Sequence, residues 1–183
     1  QDHKETEFAH FSLPAFDSAG VPSLEYGANI KSNKYKVHTD SVLLSKLNPR
    51  IPRVWLPNFD GVDNPVCSTE FLVIRPKSYY QKEILFPLVK SKIFYDQILG
   101  RVSGTTGSHQ RVKPKDVLSI KIVRANKKIV EGFQKVSSSI YSQVNVNTQQ
   151  SQILSELRDT LLPKLISGEL RIPEAEKMVE DVL

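Results

Sequence analysis

A single cysteine, Cys67, in 183 residues excludes an internal disulfide and points to a reducing compartment. The four histidines, His3, His10, His38 and His109, are scattered, so no zinc ligand set can be assembled with the lone thiol. No apolar run is long enough to cross a bilayer, and the polar opening string QDHKETE has no signal-peptide character. The expected location is therefore cytoplasmic, with no membrane partner. The chain also starts without a methionine, which leads to the expectation of a fragment or a processed chain.

Catalytic signatures are missing as well. Gly100, Gly104 and Gly107 cannot be threaded onto the Gly-x4-Gly-Lys-Ser/Thr spacing of a phosphate-binding loop. No glycine-rich turn follows a first strand to hold a nucleoside cofactor. DNPV (Asp63 to Val66) lacks the second proline and the aromatic with which amino-methyltransferases hold a flipped base, and it is expected to be a turn. Asp60, Asp63 and Glu70 lead into Phe-Leu-Val where a metal-dependent nuclease needs a lysine. Ser108 and His109 are chain neighbours, a poor geometry for a nucleophile and its base. A non-catalytic protein without metal or cofactor is expected.

What the chain does have is a basic surplus with an uneven distribution. The formal charge is +5, with 18 basic against 12 acidic residues up to Ala125 and 7 against 8 beyond it. The excess favours an anionic partner for the first two thirds. That part mixes strand-like runs, SVLLSKL (Ser41 to Leu47), RVWLP (Arg53 to Pro57), STEFLVIRP (Ser68 to Pro76) and VLSIKIV (Val117 to Val123), with Pro and Gly breakers. Between them, Lys82 to Leu99 has helical apolar spacing, with Pro87 expected to end or kink a first helix. The pattern predicts a compact α+β domain over 1–125.

From residue 126 to 183 the texture changes, and heptads take over. Phe133, Ile140, Asn147, Leu154 and Leu161 occupy one seam position; Val136, Gln143, Gln150, Leu157 and Lys164 occupy the other. The spacing predicts one coiled-coil-forming helix of about 37 residues, on the order of 55 Å long. Pro163 and Gly168 are expected to stop it, and Pro173 to open a short last helix. A helix that outruns a small domain calls for a partner helix, and residues Phe133, Val136, Ile140, Asn147, Leu154, Leu157 and Leu161 are the expected pairing set.

Two loops carry the chemistry of a nucleic-acid reader. SKLNPRIPR offers Lys46, Asn48, Arg50 and Arg53, stiffened by Pro49 and Pro52. GRVSGTTGSHQR, continued by Val112 and Lys113, offers Thr105, Thr106, Ser108, His109, Gln110, Arg111 and Lys113. Glycines admit close phosphate approach, hydroxyls donate to phosphate oxygens, and Gln and Arg can bond two groups on a base edge. A solvated turn would have a similar composition, and the alternative function is an assembly or adaptor module that binds protein.

FSLPAFD, IKSNK, SVLLSKLNPRIPRVWLP, STEFLVIRP, GTTGSHQRV and LRDTLLPKLISGEL, in that order, resemble the specificity subunits of type I restriction-modification systems. The blocks span nearly the whole chain. The resemblance implies a target-recognition domain that reads double-stranded DNA, followed by one conserved helical region. It also implies that a separate modification subunit methylates adenine and that a restriction subunit joins through it. Such subunits have two recognition domains and two long helices; this chain has one of each. It is expected to be the C-terminal half of a longer subunit, its helix paired in cis, or a half-subunit that forms a homodimer.

Overall fold

The computed structural model describes residues 3–59, 61–77, 80–102, 110–123 and 125–180. It divides into two compact units, Gln1–Ser137 and Ser138–Leu183.

The first unit holds two small sheets. One contains β1 (Glu7–Phe11), β2 (Ser23–Tyr26), β3 (Lys34–Lys36) and β6 (Val66–Ser68) in the order β2-β1-β6-β3. β1 runs antiparallel to β2 and parallel to β6, with Phe11 opposite Cys67, and β6 is antiparallel to β3. The other contains β4 (Val42–Ser45), β5 (Val54–Trp55) and β7 (Phe71–Ile74) in the order β5-β4-β7, antiparallel throughout.

Every residue of β4 is buried, because this strand has a hydrophobic layer on each face. Side chains alternate along a strand, so Val42 and Leu44 join one cluster and Leu43 the other. Val42, Leu44 and Val54 pack with residues of α2 (Lys82–Lys90), α3 (Lys92–Leu99) and α4 (Pro114–Leu118), including Val89, Ile98 and Val117. Leu43, Trp55 and Phe71 pack with Phe11, Val37 and Cys67. Trp55 is the hub, meeting Phe11, Phe16 and Phe71 edge-on at 4.8, 5.3 and 6.2 Å between ring centroids. Such pairs each add about 0.5–1.5 kcal/mol to the burial of their area.

FSLPAFD and RVWLP, two of the blocks quoted above, join here. Ser12 caps α1 (Leu13–Ser18), its hydroxyl accepting from the Ala15 N–H at 3.2 Å. The helix then delivers Phe16 to Trp55 and Asp17 to Arg53.

Several boundaries differ from the sequence expectation. STEFLVIRP is two strands, β6 and β7, broken by a turn at Thr69 and Glu70, with the Ser68 hydroxyl accepting from the Glu70 N–H. Pro87 lies inside α2, and the break falls instead at Ser91, whose extended backbone and side-chain bond to Phe94 N–H start α3. VLSIKIV is not a strand: it supplies the end of α4 and an irregular segment, because Pro114 opens a helical turn that buries Val117.

α5 (Lys127–Ser167) has 41 residues, with the Asn126 carboxamide oxygen accepting from Ile129 N–H at its start. Pro163 does not stop it. A proline removes one backbone donor, and an exposed helix held by its neighbouring turns continues past it. The stop comes at Gly168, whose φ of 74° reverses the chain at low steric cost. In the second unit α6 (Ile172–Glu180) follows, with Leu161 and Ala175 buried.

Candidate nucleic-acid interface

β4 ends in a loop that its own serine shapes. The buried Ser45 hydroxyl donates to the Leu47 carbonyl at 3.0 Å and accepts from the Leu47 N–H at 3.2 Å, turning the chain out of the sheet. Asn48 takes a left-handed φ of 47°, a conformation that asparagine tolerates better than most residues. Its carbonyl accepts from the Ile51 N–H at 2.9 Å, closing a turn with Pro49 buried and Arg50 exposed at the tip.

Against this loop lies the segment that leaves the glycine-rich stretch. Leu47 and Arg111 form an antiparallel bridge. Asn48 N–H donates to the Gln110 carbonyl at 2.8 Å, and Val112 N–H donates to the Lys46 carbonyl at 3.1 Å. Val112 is buried among the helices and anchors the segment, while Lys113 is exposed just before α4. The described parts of the two basic segments singled out in the sequence, Lys46–Asn48 and Gln110–Val112, are thus paired.

Arg111 is held by a third segment. Its guanidinium Nε and Nη2 donate to the two carboxylate oxygens of Glu70 at 3.2 and 3.0 Å, and the Lys46 N–H donates to the Glu70 carbonyl at 2.8 Å. The planar fork is therefore aimed before any ligand arrives, while half of the side chain stays exposed. In the sequence Glu70 stands out only as a carboxylate beside Asp60 and Asp63. The signal that could have found its actual place was the turn-forming Ser-Thr-Glu between two apolar runs.

Other expected contacts are placed differently. Arg53 is not a free loop charge: its Nε and Nη2 donate to the Asp17 carboxylate at 2.7 and 2.8 Å, and its side chain is only 13% exposed. The hydrogen bond from Arg53 is the main reason that the Asp17 carboxyl lies below its ordinary range, outweighing partial burial. Gln110 keeps its carboxamide oxygen buried and without a hydrogen-bond partner among the described residues, so that atom does not face outward. Thr105, Thr106, Ser108 and His109 lie outside the described residues.

Along α5, Phe133, Val136, Ile140 and Leu154 are exposed, as is Asn147, which accepts a bond from the Gln143 carboxamide at 2.9 Å. Leu157 is half-buried and Leu161 buried, so the C-terminal end of the expected seam is already covered within the chain. Among the described residues, no group of three or more His, Cys, Asp or Glu side chains could hold a metal ion, and no helix is long and apolar enough to cross a membrane.

No protein-family model matches the chain. Over 78 residues it is 31% identical to the type I restriction enzyme MjaIX specificity subunit of Methanocaldococcus jannaschii, a match covering 43% of this chain and 18% of that protein. Among solved structures it resembles the HsdS subunit from Thermoanaerobacter tengcongensis, with a TM-score of 0.61 at 22% identity, over 87% of this chain and 41% of that one. A chain from a structural study of assembly and conformational transition in the type I R-M system matches with a TM-score of 0.60, also at 22% identity, over 93% of this chain and 45% of the other. The α+β unit followed by a long helix is therefore the fold of HsdS chains. The chain is thus similar to type I specificity subunits in part of its sequence and in fold, and it spans less than half the length of these relatives.

Proposed function

We propose that this chain is a non-catalytic recognition part of a type I restriction-modification specificity subunit, with residues 1–125 reading double-stranded DNA and the helical region from 126 onward serving assembly. The observation that carries this is the pairing of Lys46–Asn48 with Gln110–Val112, which brings the two basic segments bearing Lys46, Arg50, Arg111 and Lys113 together. Phosphate contacts from such cations position a protein on a duplex, and an aimed guanidinium can bond the O6 and N7 of guanine. In the complete assembly the chain directs adenine methylation by a modification subunit and, through it, cleavage by a restriction subunit. Retention of the chain on duplex DNA, measured against salt, tests the proposal: binding that falls steeply with salt supports it. Salt-insensitive behaviour without DNA affinity leaves the protein-binding adaptor as the better account.

The exposed apolar residues on α5 favour a helix partner, either a second copy or a helix in cis. An antiparallel pair centred near Asn147 would bring the polar residues Gln143, Asn147 and Gln150 of both helices together and set the register.

A further inference from the structure

Beside the paired loops lies a second basic feature, built by the edges of the two sheets. β3 is an edge strand of the first sheet and β7 an edge strand of the second. A shallow cleft of about 480 Å³ is lined by Tyr35 and Lys36 of β3, His38, Lys46, and Val73 and Arg75 at the end of β7. We propose that this cleft carries the phosphodiester backbone of the bound duplex, extending the contact surface beyond the loops and adding affinity without sequence preference. The inference rests on the DNA-binding function proposed above.

Continuity and charge support it. Lys46 belongs to both features: it lines the cleft, and its main chain ties the first loop to Val112 and to Glu70. A strand passing over Arg111 and Lys113 therefore has the cleft as its neighbour, and Pro114, next to Lys113, lines it too. The lining includes three cations and a histidine, and no carboxylate. Asp40, outside the lining, takes the Nε and Nη2 donors of Arg75 at 2.8 and 2.9 Å, which fixes the guanidinium and leaves its other N–H groups for a ligand. Tyr35 is half exposed, and a phenol can donate to a phosphate oxygen. Two of the three cations are lysines, point charges without the rigid fork of arginine, and a shallow cleft between strand edges presents no element that could enter a groove. Both properties suit backbone contact.

Lysine on an edge strand also discourages sheets from joining, and a purely protective role makes a different prediction. The test compares the intact chain with Lys36→Ala, Lys36→Glu and Arg111→Ala on a mixed-sequence duplex over a salt series, with thermal melting to verify folding. Lys36→Ala should bind every sequence more weakly by the same factor, and the slope of log affinity against log salt should fall by about one unit. Lys36→Glu should bind more weakly still. If both Lys36 variants bind as the wild type does while Arg111→Ala is impaired, the cleft is not a DNA track and the loops alone carry binding. If the wild type shows no salt-dependent affinity for duplex DNA, the function itself is wrong and the cleft falls with it. Increased self-association of Lys36→Ala at unchanged DNA affinity would assign the lysine to edge protection.

Discussion

Arg53 and Asp17 meet through two short hydrogen bonds, 2.7 and 2.8 Å, that join the strand carrying Trp55 to the helix carrying Phe16. Most of the arginine stem is covered, so its truncation removes packing as well as charge. Arg53→Ala should lower stability by roughly 1–2 kcal/mol while leaving DNA affinity nearly unchanged at temperatures where the variant is folded. Loss of DNA affinity in a fully folded Arg53→Ala protein would return this residue to the interface.

The same pair sets a pH dependence. Because Arg53 holds the Asp17 carboxyl below its ordinary value, the contribution of the pair is fully present above the ordinary aspartate range, about pH 4, and is lost as pH falls through the lowered folded-state value. The difference in melting temperature between wild type and Arg53→Ala should therefore be constant near neutrality and narrow in acid. A gap that does not change with pH would mean that packing alone accounts for the loss.

Arg111 and Lys113 should separate by their effects on selectivity. Arg111→Ala should relax one position of the DNA site, at about 1–3 kcal/mol, because its forked donors can bond two acceptors on one base edge. Lys113→Ala should lower affinity alike for all sequences. Binding selections on randomised duplexes would show both, and equal loss across all sequences in both variants would remove base reading from Arg111.

Cys67 is fully buried between the sheets, and burial pushes its thiol up to about 12. The thiolate is the reactive form, so the native protein should resist alkylation at neutral pH and react once denatured. Rapid labelling under native conditions would show that the β6 region opens.

For the helix, Ile140→Asp changes an exposed residue and should leave the monomer folded while separating paired copies. Leu157→Asp should also weaken pairing, and Leu161→Asp should instead destabilise the second unit, since Leu161 is already buried. Light scattering and melting curves read the two effects separately. A wild-type monomer at high concentration would assign the exposed face to a helix in cis or to another subunit.

Local periodicity in the sequence was enough to mark β4, β5, the helices from Lys82 to Leu99 and the long heptad helix, because burial of one face imposes a repeat on neighbouring positions. It failed at VLSIKIV, where a run of β-branched residues outweighed the proline that opens α4, and at Pro163, where the run of α5 outweighed a proline. The basic character of the first part was likewise visible, since charge needs no fold to be counted.

Only the tertiary structure decided which charges act together. SKLNPRIPR contains Lys46, Arg50 and Arg53 within a few residues, and its sequence treats them alike. The fold sends Arg53 to Asp17 on α1, leaves Arg50 at the tip and ties Lys46 to Val112. The pairing of Leu47 with Arg111, and of Arg111 with Glu70, depends on how two sheets and three helices stack around β4. A repeat in the chain states which face a residue presents; the residue it meets is set by packing between segments far apart in sequence, and no local pattern encodes that address.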